Sequence, residues 1–483
     1  MRRSIRTVND FPYADRYAVN RTLPATGRPR ADVLAEMQAM ATEEDAFWET
    51  GKVSGTMYCG DHEHYDFLGR AFGMFAHVNA LQRDMCPSQT KFEGEVIAMA
   101  LDLMHAEAVT DGPTDDEPAG LVTTGGTGSI LHALVAYREH ARETRGVTRP
   151  NFVKPETGHA AFDKGCHLFG IELRVAPVDP KTTLADVDAM AELIDDQTIA
   201  IMGSAGNYAY GTIDPIEELA ALAQDKGVGM HVDGCLGGFI LPFGQELGYD
   251  IPVFDFRVPG VTSISADTHK YGYAFKGSST LLFRDKALRK AQYFHLLDWS
   301  GGKYMSPGME GSRSGGLIAS TWASMVSLGR EGYREHAREI FETAAAMMDV
   351  VRSHPELRIM GDGTSGAPTF CYSFTSDAFE IYHLVDFLGP KGWRFNGQQY
   401  PNAIHMAVTR PQTRAGVVEL FATDLADAIA YAKEKHAAGE EAFAGAIYGG
   451  APGGLGSMDR ATSDFIVAVM DDMLDKQQAL PPA

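Results

Sequence analysis

Residues 198–233 read TIAIMGSAGNYAYGTIDPIEELAALAQDKGVGMHVD. Thr198 to Gly203 is an unbroken run without charge, of the length and apolar content of one buried strand. Asp214-Pro215-Ile216-Glu217 then opens a helix: Asp214 is expected as its N-cap, Pro215 in its first turn, and Glu217 as the partner in a capping box. Gly227 closes that helix, and Val228 to Val232 forms the next strand. Strand, helix and strand in this order make a βαβ unit.

The same alternation extends from about 91 to 330, so the expected fold class is α/β with a mostly parallel sheet. Residues 1–90 read as an irregular, partly helical lead-in containing the aromatic and histidine-rich stretch Gly51 to Tyr65. A long helical pattern at about 330–352 leads into the C-terminal part. There the strand patterns Thr369 to Phe374 and Ala403 to Val408 mix with amphipathic helices, as in a smaller α/β domain. The expected division is therefore 1–90, 91–330 and 331–483. Gly449 to Gly456 reads as a glycine-rich loop, without the strand or Lys-Ser/Thr of a P-loop.

A chain of 483 residues exceeds one hydrophobic core, in line with that division. Its net charge of -22 argues against nucleic-acid binding, because a phosphate backbone would be repelled. No apolar run approaches the ~20 residues that cross a bilayer. Basic residues at Arg2, Arg3 and Arg6 are followed by no apolar stretch of the secretory kind. Cys59, Cys86, Cys166, Cys235 and Cys371 are odd in number and scattered, which fits a reducing cytoplasm. Asp61-His62-Glu63-His64 is not read as a metal site, because adjacent positions seldom converge on one ion. Trp299 and Trp393 are expected as packing anchors.

Four features in chain order carry chemistry. Thr123-Thr124-Gly125-Gly126-Thr127-Gly128-Ser129 opens a helix with Ile130, Leu131, Leu134 and Val135 on one face. Glycines there let backbone amides approach an anion at a positive helix end. Thr157-Gly158-His159 offers an imidazole to stack on a planar heterocycle. Asp233 of His231-Val232-Asp233-Gly234 falls at the carboxyl end of a strand, where ligands of α/β sheets bind. A carboxylate there can hold a pyridine nitrogen protonated. Finally, Ser263-Ile264-Ser265-Ala266-Asp267-Thr268-His269-Lys270 places a lysine among Ser, Thr and His between two strands. A partly buried amine is expected to lose its proton readily and to form an imine with an aldehyde.

This order of phosphate turn, stacking histidine, strand-end aspartate and His-Lys resembles that of fold-type I pyridoxal 5'-phosphate enzymes. Longer matches are more specific. Gly51-Lys52-Val53-Ser54-Gly55, His231 to Gly238, Phe254-Asp255-Phe256-Arg257-Val258, Gly260 to Gly272, Lys276-Gly277-Ser278-Ser279, Gly311-Ser312-Arg313, Lys391-Gly392-Trp393 and Gly445 to Gly449 resemble the sphingosine-1-phosphate lyase family, a branch close to the group II amino-acid decarboxylases.

The resemblance implies a large domain with a mostly parallel sheet of seven strands, a smaller C-terminal α/β domain, and a homodimer with active sites between subunits. It implies Lys270 as the cofactor lysine, Asp233 as the ring-nitrogen partner and His159 as the stacking residue. Gly126, Thr127, Thr268 and His269 are expected at the cofactor, with Ser312 reaching across from the other subunit. Tyr58, Tyr208 and Lys276 match positions around the substrate and its phosphate; Asn79 and Gln82 fall in another substrate-facing segment. The implied reaction cleaves the C2–C3 bond of a phosphorylated sphingoid base by retro-aldol chemistry, giving a long-chain aldehyde and phosphoethanolamine.

Three positions depart from the family. Asn79-Ala80-Leu81-Gln82 stands where Asn-Pro-Leu-His is usual, Gly128 stands for a glutamate, and Phe275 stands for a proline before Lys276. Gln82 in place of histidine removes a titratable group from the substrate side. Amino-acid decarboxylation, using the same Lys270, Asp233 and His159, is the alternative. A scaffold that has lost its chemistry is disfavoured by the presence of all three residues.

Overall fold

A computed structural model describes residues 12–109, 117–445 and, within 467–475, all but 469 and 473. The loop expected at Gly449 to Gly456 lies outside the described residues, as does most of Gly445 to Gly449.

Three helices come first: α1 (Arg30–Trp48), α2 (His62–Phe75) and α3 (Ser88–Leu103). Asp61 caps α2 by accepting from the Glu63 and His64 amides, so this carboxylate is spent on the helix end. Strand β1 (Ala119–Thr123) follows, then α4 (Gly126–Arg145), β2 (Asn151–Pro155), α5 (Ala161–Phe169) and β3 (Glu172–Ala176). The alternation continues with α6 (Val187–Glu192), β4 (Thr198–Ser204), α7 (Ile216–Lys226), β5 (Gly229–Asp233) and α8 (Leu241–Glu246). Strands β6 (Ser263–Ala266) and β7 (Ser279–Phe283) close the sheet. Its order is β1-β7-β6-β5-β4-β2-β3; β7 runs antiparallel to both neighbours and the other pairings are parallel.

All seven residues of β4 are buried, as an interior strand covered on both faces must be. Successive side chains go to opposite sides. Ile201, Val232, Ile264 and Leu282 join an apolar cluster with Ile216, Leu219 and Phe341. Phe152, Met202, Leu281 and Phe283 join a second one with Ile130, Leu134 and Phe162.

Beyond the sheet lie α9 (Lys286–Lys290), a hairpin of β8 (Phe294–Leu296) and β9 (Tyr304–Ser306), and α10 (Gly315–Arg352). The last is longer than the sequence pattern suggests and is broken at Gly329, whose φ of 60° and ψ of 177° no helix contains. A second sheet, ordered β10-β11-β13-β12, is antiparallel throughout: β10 (Leu357–Ile359), β11 (Cys371–Ser376), β12 (Asn396–Gln398) and β13 (Ala403–Ala407). Helices α11 (Tyr382–Leu388) and α12 (Val417–Ala437) pack together beside it.

Two local expectations are corrected. Asp214 does not cap α7. Its carboxylate is fully buried and accepts from the Ser204 amide at 2.7 Å and the Ala185 amide at 3.0 Å, tying the end of β4 to a neighbouring loop. The cap position of α7 falls on Pro215, and no side chain caps it. Trp393 is indeed a packing anchor, buried against Phe421 with its indole N–H on Asp424 at 2.8 Å. Trp299 is not: it is half exposed on the β8–β9 hairpin, beside the exposed Phe294, Leu296 and Met305.

Candidate active site

The carboxyl ends of β4 and β5 face a cavity of about 380 Å³. Its walls include His159, Tyr208, Asp233, Cys235, His269, Lys270 and Lys276 from the large sheet and its loops. Ser54, Thr56 and Tyr58 come from the lead-in, and Arg394, Asn396 and His405 from the second sheet. A wider groove of about 930 Å³ near Lys181 and Arg352 holds none of the chemical motifs.

Asp233 is the last residue of β5, and its Oδ1 accepts from the Cys235 amide at 3.0 Å and the Ser265 hydroxyl at 3.3 Å. His159 sits in the turn between β2 and α5. Its Nδ1 accepts from the Ala161 amide at 3.1 Å, which sets the ring's direction. Burial lowers its pKa, so the imidazole is neutral and suited to lying on a ring.

Lys270 follows β6 and faces the cavity with Nζ 2.8 Å from Asp267 Oδ2. The sequence led us to expect an amine that sheds its proton easily. Burial pulls its pKa down most strongly of any one cause, but Asp267, Tyr58 and Cys235 together outweigh it and hold the ammonium well above its ordinary range. Asp267 itself lies against the glycine turn: a Cβ on Gly126 would stand 2.7 Å from its carboxylate. Gly125, with φ of 100°, brings the turn up to His269, to which a Cβ would come within 3.5 Å. Gly126 opens α4 as expected, and Thr127 in its first turn is exposed. This turn, glycine backbone at a helix N-terminus beside His269, fits a phosphate.

His269 is fixed by its Nδ1 on the Ser278 carbonyl at 2.6 Å. The Thr268 side chain is buried, and its hydroxyl donates to Ser278 at 2.7 Å, which continues to Thr321 at 2.8 Å. Those bonds direct it into the protein, so it does not line the cavity.

Tyr58 reaches the cavity because residues 52–59 pair with the second sheet. The Ser54 amide donates to the Arg394 carbonyl at 2.9 Å and the Gly55 amide to Ala407 at 3.0 Å. The Lys276 ammonium lies 4.5 Å from the Tyr58 ring centroid. Lys276 is exposed at the cavity rim, yet the surrounding protein, and then the Lys270 charge, push its pKa down to about 8. Tyr208 leans on the His405 ring at 4.7 Å and stands edge-on to His159.

Asn79, Gln82 and Ser312 do not line this cavity. They gather elsewhere: Asn79 Nδ2 donates to Ser312 Oγ at 2.9 Å, and the Gln82 amide donates to the Asn79 carbonyl at 3.0 Å. Gln82 and Ser312 are exposed there.

Arg394, Asn396 and His405 were not singled out from the sequence. The only signals were the adjoining Lys391-Gly392-Trp393 match and a histidine inside the strand pattern Ala403 to Val408. Among the described residues, no group of three His, Cys, Asp or Glu side chains is placed to hold a metal ion.

The profile of the pyridoxal-dependent decarboxylase conserved domain matches residues 19–374. The sphingosine-1-phosphate lyase of Dictyostelium discoideum is 42% identical over 430 residues, covering 89% of this chain and 78% of that protein. That of Arabidopsis thaliana is 42% identical over 448 residues, covering 91% of this chain and 79% of that protein. Among solved structures, the sphingosine-1-phosphate lyase of Burkholderia pseudomallei is 54% identical with a TM-score of 0.85, covering 89% of this chain and 97% of that one. Glutamate decarboxylase of Lactobacillus brevis, 22% identical at a TM-score of 0.70, shares the fold. A cavity suited to a phosphorylated pyridine aldehyde, set in a chain this similar to those proteins, places it by descent: the chain belongs to the pyridoxal-dependent decarboxylase family, in its sphingosine-1-phosphate lyase branch.

Proposed function

We propose that the protein cleaves the C2–C3 bond of a phosphorylated sphingoid base, releasing a long-chain aldehyde and phosphoethanolamine. The observation that carries this reading is a cation the cavity holds besides Lys270: Lys276 stands at the rim, its ammonium 4.5 Å from the Tyr58 ring centroid. A second phosphate, the substrate's, fits there. Bound pyridoxal phosphate supplies an electron sink for the carbon that loses its bond.

The protein's own residues do the rest. Lys270 would hold the cofactor, and the Gly126–Thr127 turn with His269 would hold its phosphate. Asp233 would meet the ring nitrogen and keep its proton there, and His159 would cover the ring. Lys276 and Tyr58 grip the substrate phosphate and would so orient the substrate's bonds toward the cofactor; orientation of this kind decides the reaction as well as affinity. Tyr208, its ring steadied by His405, orients the C3 hydroxyl and assists the loss of its proton. An amino-acid decarboxylase would use the same Lys270, Asp233 and His159, but the glutamate decarboxylase of Lactobacillus brevis and the tryptophan decarboxylase of Catharanthus roseus, 22% and 17% identical, support the fold alone.

The active unit in this reading is a homodimer. Asn79, Gln82 and Ser312 then complete the site of the neighbouring subunit, which accounts for their exposed cluster outside their own chain's cavity. The exposed apolar hairpin that carries Phe294 and Trp299 supports such a contact. A cytoplasmic setting is supported by five cysteines that are all free. Among the described residues, no helix is long and apolar enough to cross a membrane.

The test is incubation of the cofactor-loaded enzyme with a phosphorylated sphingoid base and mass spectrometry of the products. Aldehyde and phosphoethanolamine are expected, and Lys270→Ala is expected to abolish both. Intact substrate in the presence of a fully loaded enzyme would overturn the assignment.

A further inference from the structure

Strands buried in a parallel sheet are ordinarily apolar on both faces, and β5 and β6 break this rule on one face only. Met230, Val232 and Ile264 point into an apolar cluster. His231 and Asp233 point the other way and stand opposite Ser263 and Ser265 in the parallel register. His231, Ser263 and Ser265 are completely buried. Tyr137 of α4 crosses this face because position 229 is glycine: a Cβ there would stand 2.2 Å from the Tyr137 ring.

The polar groups form one chain of contacts. The Tyr137 hydroxyl is 2.5 Å from Ser263 Oγ, and Ser263 Oγ is 2.8 Å from His231 Nδ1. His231 Nε2 is 3.2 Å from Ser265 Oγ, which donates to Asp233 Oδ1 at 3.3 Å. The Cys235 thiol adds a donor to Ser265 at 3.2 Å. Tyr137 also lies 2.8 Å from Thr262, whose proton goes to the Met230 carbonyl. A core that hides this many polar atoms does so at a cost unless each is bonded.

The chain has a direction. Burial holds His231 neutral, with its pKa down to about 4, so its ring carries one N–H. Ser265 has one proton and two acceptors in reach, the Asp233 carboxylate and His231 Nε2. The carboxylate is the stronger acceptor. Ser265 therefore donates to Asp233 and accepts from His231 Nε2–H. His231 Nδ1 then accepts from Ser263, and Ser263 from Tyr137. Each hydrogen points toward Asp233. The other charged or titratable groups around Asp233 are Lys270, Asp267, His159 and, behind Ser204, Asp214.

We infer that Ser265 and His231 are positioning residues, ending a one-way hydrogen-bond relay from Tyr137 that donates into the Asp233 carboxylate and holds it aimed at the cofactor's ring nitrogen. This rests on the reading of Asp233 as the partner of that nitrogen. A hydrogen bond into the carboxylate holds it in one rotamer and favours its charge, and the charge is what keeps the pyridine protonated.

The test loads the enzyme with cofactor carrying nitrogen-15 in the ring and follows its NMR shift against pH. Ser265→Ala, which removes one oxygen, is expected to make the ring nitrogen about tenfold more acidic, or about one pH unit lower in its titration. Ser265→Thr keeps the hydroxyl and is expected to return the wild-type curve; a merely structural serine would not distinguish the two. His231→Phe is expected to match Ser265→Ala. If His231→Phe does not fold, the Ala and Thr variants at 265 decide the matter. Wild-type titration in Ser265→Ala beside a shifted Asp233→Ala would overturn the relay. An unshifted Asp233→Ala would instead overturn the reading of Asp233.

Discussion

Replacing Glu93 by Gln removes the anion that joins α3 to the loop carrying Ser312. Glu93 is buried and meets Arg313 through two bonds, Oε1 at 2.7 Å and Oε2 at 2.9 Å, while its Oε1 also accepts from the Val122 amide at 3.0 Å. Arg83 donates to the same carboxylate from the other side. Burial raises the Glu93 pKa, but Arg313, Arg83 and the Val122 amide together outweigh burial and hold it below the ordinary carboxylate range. A glutamine would leave Arg313, itself largely buried, without its counter-charge. Breaking one side of a buried pair costs about 3–5 kcal/mol. At ~2.1 cal/mol/K per residue, a chain of 483 residues unfolding as a unit has an entropy near 1 kcal/mol/K, so Tm should fall by about 3–5 °C.

The assay is thermal and denaturant unfolding of Glu93→Gln, Arg313→Met and the double variant. The double variant removes the orphaned charge and should be more stable than the sum of the single losses requires. Because the folded pKa of Glu93 is depressed, the pair's contribution is present above the unfolded value and is lost as pH falls through the folded one. The wild type and Glu93→Gln should therefore converge in acid. A Glu93→Gln midpoint equal to wild type at pH 7, or strict additivity in the double variant, would refute the reasoning.

Other outcomes follow from the same geometry. Lys276→Met should lower kcat/KM for a phosphorylated substrate by about 10- to 150-fold, the equivalent of ~1.5–3 kcal/mol for one hydrogen bond to a charged group, with the cofactor's absorbance unchanged; an unchanged kcat/KM removes Lys276 from the phosphate grip. In the wild type kcat/KM should decline as pH rises beyond about 8, where Lys276 loses its proton, and Lys276→Arg should flatten that decline up to pH 10. The cofactor phosphate will move the onset upward, not downward, because a nearby anion favours the ammonium. Asp214 has its pKa raised from 3.8 to about 6 by burial, so its contribution to stability is greatest in acid and is lost as pH rises through 6. Asp214→Asn should therefore destabilise by about 1.4 kcal/mol more at pH 5 than at pH 8, and equal losses at both would show that the carboxylate does not titrate in this range.

Much of the site was legible because each part of it is local. Gly125-Gly126 needs only a strand end and a helix start, and Asp233 needs only to be the last residue of a strand; the periodicity of the chain announces both. Asp214 shows the limit. Its spacing to Glu217 is that of a capping box, but the same carboxylate is taken by two backbone amides of a loop and a strand end that only the folded chain brings near. Thr268 beside His269-Lys270 likewise has a bond no spacing gives, its hydroxyl donating to Ser278 ten residues on. Trp299 was read as buried from its composition alone, and the hairpin holds it outward.

The sequence by itself determined the βαβ sheet, the cofactor class and the order of its motifs, because those depend on short-range periodicity and on residues within a turn of one another. Tertiary structure decided the rest of the cavity wall: Arg394, Asn396 and His405 come from a separate sheet, and Tyr58 reaches them because the Ser54 and Gly55 amides pair with the Arg394 and Ala407 carbonyls. It also decided charge. Whether Lys270 sheds or keeps its proton turns on Asp267 at 2.8 Å, and whether Asp233 has a chain of donors behind it turns on the register of β5 against β6. Distances of this kind are set by how strands and helices pack, and no spacing along the chain specifies them.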